Sequence, residues 1–276
     1  MKQIKNILLF LTILFSLALF TACSREEGYG AGGGESLRKG STSPLHSPIA
    51  QDETYQKVLG LNILLYPPPA DDPKFDPFGK AHWEIDAKDF TAAVKNAFTG
   101  TMGEQAVYEP KVDALQNLPL VNKIKETIYG GKAIQVGWIY GNNANLDYME
   151  FNNATVTLIP VYNMVLFVAT KNDLDQSTFH LSVSKTSLFY IPADAVIELF
   201  PDTLHSPPIR VSNVTGQLTV VIVPEGVGIG SASKGSGIDQ ALYTQNRWLL
   251  GFPDNKMGFF AGLDGTNINI NAIDGK

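Results

Sequence analysis

Residues 133–151 read AIQVGWIYGNNANLDYMEF. β-Branched and aromatic residues recur at every second position, an Asn/Gly cluster interrupts them, and the alternation then resumes around two acids. That pattern predicts two short strands joined by a turn. The same reading extends to MVLFVAT, TFHLSV, LFYI, AVIELF, IRVSNV, QLTVVIV, RWLLGF and MGFFAG, separated by Asn, Asp, Gly and Pro. Short strands at this spacing predict a mainly β domain, a sandwich or barrel.

Upstream the period is helical. DAKDFTAAVKNAFTG places Phe90, Val94 and Phe98 four apart, with Asp86 as the expected cap and Gly100 as the stop. LPLVNKIKETIYGG repeats the device with Leu120, Ile124 and Ile128. Two amphipathic helices are therefore expected to lie on the β core, with VYEPKVDALQNL between them as an extended stretch running into a turn.

The first 22 residues read as a leader. Two lysines precede ILLFLTILFSLALF, a fourteen-residue mostly apolar run that is short for a membrane span. It ends in FTAC, which resembles the lipobox of bacterial lipoproteins. The resemblance implies lipidation of Cys23, the only cysteine of the chain. With one cysteine no intrachain disulfide forms, so stability must come from packing. Residues 23–50 are dense in Gly, Ser and Pro and predict a flexible tether carrying His46. Glu26 and Glu27 resemble the acidic signal that sends some lipoproteins to the cell exterior. The domain is expected over 51–276, with a helical part at about 85–130 and the barrel at about 131–276.

Removing a 22-residue leader from 276 leaves 254 residues, enough to bury roughly 70–75% of the unfolded surface. The 21 basic residues fall to 19 against 27 acidic, and the formal charge moves from −6 to −8. That balance disfavours nucleic acid and anionic lipid surfaces as partners, because both require clustered Lys and Arg. Membrane contact is expected through the lipid on Cys23, and the location is the cell envelope.

Several motifs do not carry the chemistry they suggest. In PEGVGIGSASKGSG the lysine precedes its glycine and no helix follows, so no phosphate loop is present. GLDGTNININAIDG lacks the terminal glutamate of a calcium loop. No nucleophile elbow or zincin helix occurs. In TFHLSV, His180 faces away from Phe179, Leu181 and Val183, and His82 sits in a loop before a helix. Strand alternation places Leu146, Tyr148, Glu150 and Asn152 on one face, with Asp147, Met149 and Phe151 on the other. If the first face lines a barrel, Glu150 is an internal carboxylate that needs a donor, a metal or a raised pKa. Glu198, before His205, raises the same question.

YGGKAIQVGWIYGNNANLDYMEF, LFYIPADAVIELFPDTLH and NRWLLGFPDNKMGFFAGLDGTNINI together resemble an uncharacterised bacterial family of cupin-like proteins, known only as a domain of unknown function. The resemblance spans about residues 55–270. It implies a double-stranded β-helix, or jelly-roll, barrel, in which Glu150 matches the glutamate of the first metal-binding motif and His205 the last histidine. It also implies histidines where this chain has Asn142 and Asn152, and a second glutamate near Val156. A zinc-type catalytic site keeps three protein ligands, and here the implied set keeps two. Asparagine oxygen binds transition metals poorly.

The reading is therefore a lipid-anchored, non-catalytic binding or interaction module. Its expected cavity, lined by Tyr148, Glu150, Asn152, Glu198 and His205, would take a small polar ligand such as a carbohydrate, with no cofactor. The alternatives are a divalent-metal-dependent sugar or sugar-acid isomerase, epimerase or lyase, and a structural envelope protein with a filled barrel.

Overall fold

Among the described residues the α-helices all lie upstream of Ala133, and the regular structure downstream is strand broken by turns and short 3-10 segments. A computed structural model of the chain describes residues 49, 52–62 and 68–275, all within one unit, Pro44–Lys276. The leader, Cys23, His46 and the tether lie outside the described residues, except for Ile49 near the tether's expected end, which is buried against the second sheet's outer layer.

Three helices are described, where the periodicity gave two: α1 (Glu53–Leu61), α2 (Lys88–Ala97) and α3 (Pro119–Thr127). Asp52 caps α1 by accepting a hydrogen bond from the Tyr55 amide. Asp86 does not cap α2. The cap position falls to Ala87, Asp86 accepts instead from the Lys88 amide, and the helix ends at Ala97, short of Gly100. Pro119 opens α3, where a missing N–H costs nothing.

The strands are short. In chain order they are β1 (Gly79–Ala81), β2 (Val107–Glu109), β3 (Ile134–Gly141), β4 (Tyr148–Phe151), β5 (Val156–Pro160) and β6 (Met164–Thr170). Then come β7 (Leu181–Ser182), β8 (Ser187–Ile191), β9 (Ile197–Leu199), β10 (Thr203–His205) and β11 (Ile209–Arg210). The last are β12 (Gln217–Pro224), β13 (Leu242–Thr244), β14 (Arg247–Gly251), β15 (Phe260–Ala261) and β16 (Leu263–Asp264).

One sheet runs β1-β9-β5-β12-β3-β2 and the other β11-β6-β10-β4-β14-β13, with β8 added to β6 and β15 to β14. Within them, the orders β3-β12-β5-β9 and β4-β10-β6-β8 are those of an eight-stranded jelly roll: the chain winds from one sheet to the other as two strands travel together. Their pairings are antiparallel.

Alternation distributes the side chains over three apolar layers. Leu158, Leu166, Ile197 and Val221 fill the space between the sheets. Trp138, Ile159 and Val220 face outward from the first sheet, where Phe90 and Val94 of α2 and Val121 and Ile124 of α3 cover them. Met149, Phe151, Phe167 and Tyr190 face outward from the second sheet and are covered by Tyr55 and Val58 of α1 and by the C-terminal Ile270. The long strands are thus buried on both faces. One expectation fails here: Leu146 packs with Met149 and Phe151, because Asp147 has a positive φ of 49° and breaks the alternation before β4 begins.

Candidate functional site

The second sheet carries Glu150, His205 and Arg247 on its inner face, whereas the first contributes Gln217 and Thr219 beside Met164. In the second sheet β4 lies between β10 and β14, so Glu150 stands opposite His205 on one side and Leu249 on the other. Arg247, two residues before Leu249, shares that face as the diagonal neighbour of Glu150. Its Nε donates to Glu150 Oε2 at 2.7 Å, and its Nη2 donates to the same oxygen. The guanidinium also lies over the Tyr108 ring, 4.8 Å from its centroid.

His205 is aimed by the prolines after it. Neither Pro207 nor Pro208 can donate to a ladder, so pairing along β6 lapses between β10 and β11. Ser206 bridges the gap: its Oγ accepts from the Phe167 amide at 3.1 Å and its own amide donates to the Phe167 carbonyl at 2.9 Å. The Ser206 carbonyl accepts from His205 Nδ1 at 3.1 Å. A carbonyl only accepts, so the hydrogen is on Nδ1 and Nε2 presents a lone pair. That Nε2 is buried without a hydrogen-bond partner, 3.8 Å from Glu150 Oε1.

Burial holds the His205 imidazole below its ordinary pKa, against the opposing pull of the Glu150 carboxylate. Burial works against the Arg247 charge too and is the largest single influence, but Glu150, Tyr148 and Tyr108 together outweigh it and the guanidinium is held above its usual value. Tyr108 is raised to about 12 by burial, with Arg247 pulling it down and Glu150 adding a smaller rise. Arg247 and Glu150 thus form a desolvated ion pair, with a neutral histidine on its far side.

Glu150, Asn152, His205 and Arg247 form the polar wall of a cavity of about 20 Å³, closed on the other side by Val156, Leu158 and Val221. That volume suits one water. Asn152 Oδ1, like His205 Nε2, is buried without a partner. Tyr148, buried, lies in the field of the Glu150–Arg247 pair and also lines a second cavity of about 220 Å³ at the rim. Asn142 lines none of the described cavities.

Glu198 does not join the barrel cavity. Ile197 and Leu199 take the inner face of β9, so Glu198 points outward and meets His82. That histidine is buried, its Nε2 2.8 Å from Glu198 and its Nδ1 2.9 Å from Glu84. His180, half-buried, sits 3.0 Å from Asp264 and edge-on to Phe260. The residue that sequence reasoning missed is Arg247. The available signal was a lone cation in the apolar run RWLLGF, which a buried strand tolerates only beside a carboxylate.

The donor set does not fit a divalent-metal centre. One oxygen of Glu150 is taken by a guanidinium, Asn142 and Asn152 stand at two of the implied ligand positions, and among the described residues no three of His, Cys, Asp and Glu are grouped to hold an ion.

The family model described as "Domain of unknown function (DUF4867)" matches residues 69–268. Among curated proteins none matches the chain. Solved structures similar to it include a mutant of Bacillus subtilis oxalate decarboxylase (9% identity, 48% of this chain and 28% of that one, TM-score 0.27). A Streptomyces PAC13 variant with uridine is similar at 12% identity, over 55% of this chain and 83% of that one, with a TM-score of 0.27. Vicilin from Corylus avellana (hazelnut) is similar at 10% identity, over 43% of this chain and 26% of that one, with a TM-score of 0.25. The chain thus spans little more than a quarter of the oxalate decarboxylase it matches. Likenesses this distant carry nothing about activity.

Proposed function

The chain belongs to the DUF4867 family, a domain of unknown function, and from that premise we propose a cupin-like, non-catalytic binding module of the bacterial cell envelope, tethered by lipid on Cys23. Its ligand is a small polar molecule, with carbohydrate the class we favour.

One observation carries the non-catalytic reading. Arg247 supplies, from the chain itself, the positive charge that a metal would bring to Glu150. An ion pair of this kind is satisfied and inert, whereas a catalytic metal site keeps an exchangeable position. The amide and aromatic groups around the barrel suit hydroxyl-rich ligands, and the lipoprotein-like leader supports an envelope setting. The competing reading, a metal-dependent sugar-acid isomerase, epimerase or lyase, draws support from His205, whose unpartnered Nε2 could take a proton.

A thermal-shift screen of the purified protein against mono- and oligosaccharides tests the proposal, because a ligand bound only by the folded state raises the midpoint. At a hundredfold excess over Kd the gain is about 2.7 kcal/mol. A rise with at least one sugar and no turnover is expected. No rise with any glycan, or manganese-dependent conversion of a sugar acid, would contradict it.

A further inference from the structure

The barrel cavity holds about 20 Å³, too little for any sugar. The adjoining cavity holds about 220 Å³, below the roughly 300–1,000 Å³ of drug-sized pockets and suited to one small ring. We infer that the carbohydrate site is this rim cavity, and that it takes a single uncharged polyhydroxylated ring, a monosaccharide or the end residue of a glycan. The inference rests on the carbohydrate reading above and moves it out of the barrel.

The rim cavity shares no lining residue with the barrel cavity but borders it along the chain: Tyr148 is two residues from Glu150 on β4, and Pro207 is next to the barrel-lining Pro208. It offers both surfaces a sugar needs. Tyr148 and Phe259 meet edge to face at 5.1 Å and present apolar ring surface to C–H groups. Around them stand Gln105, Asp147, Asp254 and Lys256, which supply acceptors and donors for hydroxyls.

The frame is already built. Asp147 is held at its positive φ by a reciprocal pair with Asn267: the Asp147 amide donates to Asn267 Oδ1 at 3.2 Å, and Asn267 Nδ2 donates to Asp147 Oδ1 at 3.0 Å. Asn255 fixes the facing loop by donating to the Phe252 carbonyl at 2.6 Å and accepting from the Phe259 amide at 3.0 Å. Backbone strain that the surroundings over-determine is a common mark of ligand sites. Two lining carboxylates against one lysine leave a net negative wall, which selects against sugar acids.

Methionine-methyl NMR on the purified protein separates the two cavities. Met257 lines the rim, whereas Met164 lies between the sheets. Addition of glucose or N-acetylglucosamine should move the Met257 signal, assigned with Met257→Leu, and leave Met164 in place. Glucuronate should bind at least threefold more weakly. Combining Asp254→Ala with Lys256→Ala, both exposed and without a structural role, should weaken binding at least fivefold. A sugar that moves Met164 but not Met257, or whose affinity ignores the double variant, would overturn the rim site and leave the carbohydrate reading standing. No response to any sugar would overturn both.

Discussion

At the scale of single residues, the chemistry of the barrel turns on which cation faces Glu150. Arg247 occupies one carboxylate oxygen and leaves the other toward His205. Removing one member of a buried pair strands the other, at a cost of about 3–5 kcal/mol, whereas replacing both with apolar residues is often nearly neutral. Arg247→Leu should therefore destabilise by about that amount in urea unfolding. The double variant Arg247→Leu with Glu150→Leu should recover most of the loss. His205 makes a second prediction. Its folded pKa is lowered by burial, so below pH ~6.5 the unfolded chain takes up a proton that the folded one refuses. Its contribution is fully present above pH ~6.5 and declines as the pH falls toward the lowered value. Urea midpoints measured from pH 7 to 5 should drop, and His205→Gln should flatten that slope.

At the scale of elements, close approach decides which residues are tolerated. The β2 edge strand crosses β3 so tightly that a Cβ on Gly137 would lie 2.2 Å from the Glu109 carbonyl oxygen. Gly137→Val should cost at least about 1–3 kcal/mol, read as a lowered unfolding midpoint, because the obstacle is backbone and cannot rotate away. The period-two alternation made the strands legible, and with them the inward phase of Glu150. The resemblance placed His205 in the same cavity. Arg247 was hidden because both phases of RWLLGF are apolar, so nothing local says which side faces the core. Glu198 was misplaced for want of the phase of β9, which Ile197 and Leu199 set. Helix α1 escaped notice because ETYQKVLGL buries only Tyr55 and Val58, too short a stripe to read as periodicity.

At the scale of the molecule, two sheets and a covering layer on each outer face bury the strands from both sides, so the few polar residues inside must satisfy one another or a ligand. The negative charge keeps the domain from anionic surfaces, and the proposed lipid supplies attachment instead. Cys23→Ser should shift the protein from the membrane to the soluble fraction in cell fractionation while leaving its unfolding midpoint unchanged. The most direct test of the central claim, that Arg247 rather than a metal compensates Glu150, is the metal content of the purified protein. The account predicts far less than one manganese, zinc or iron per chain, with no change on His205→Ala. One equivalent per chain, lost in that variant, would contradict it.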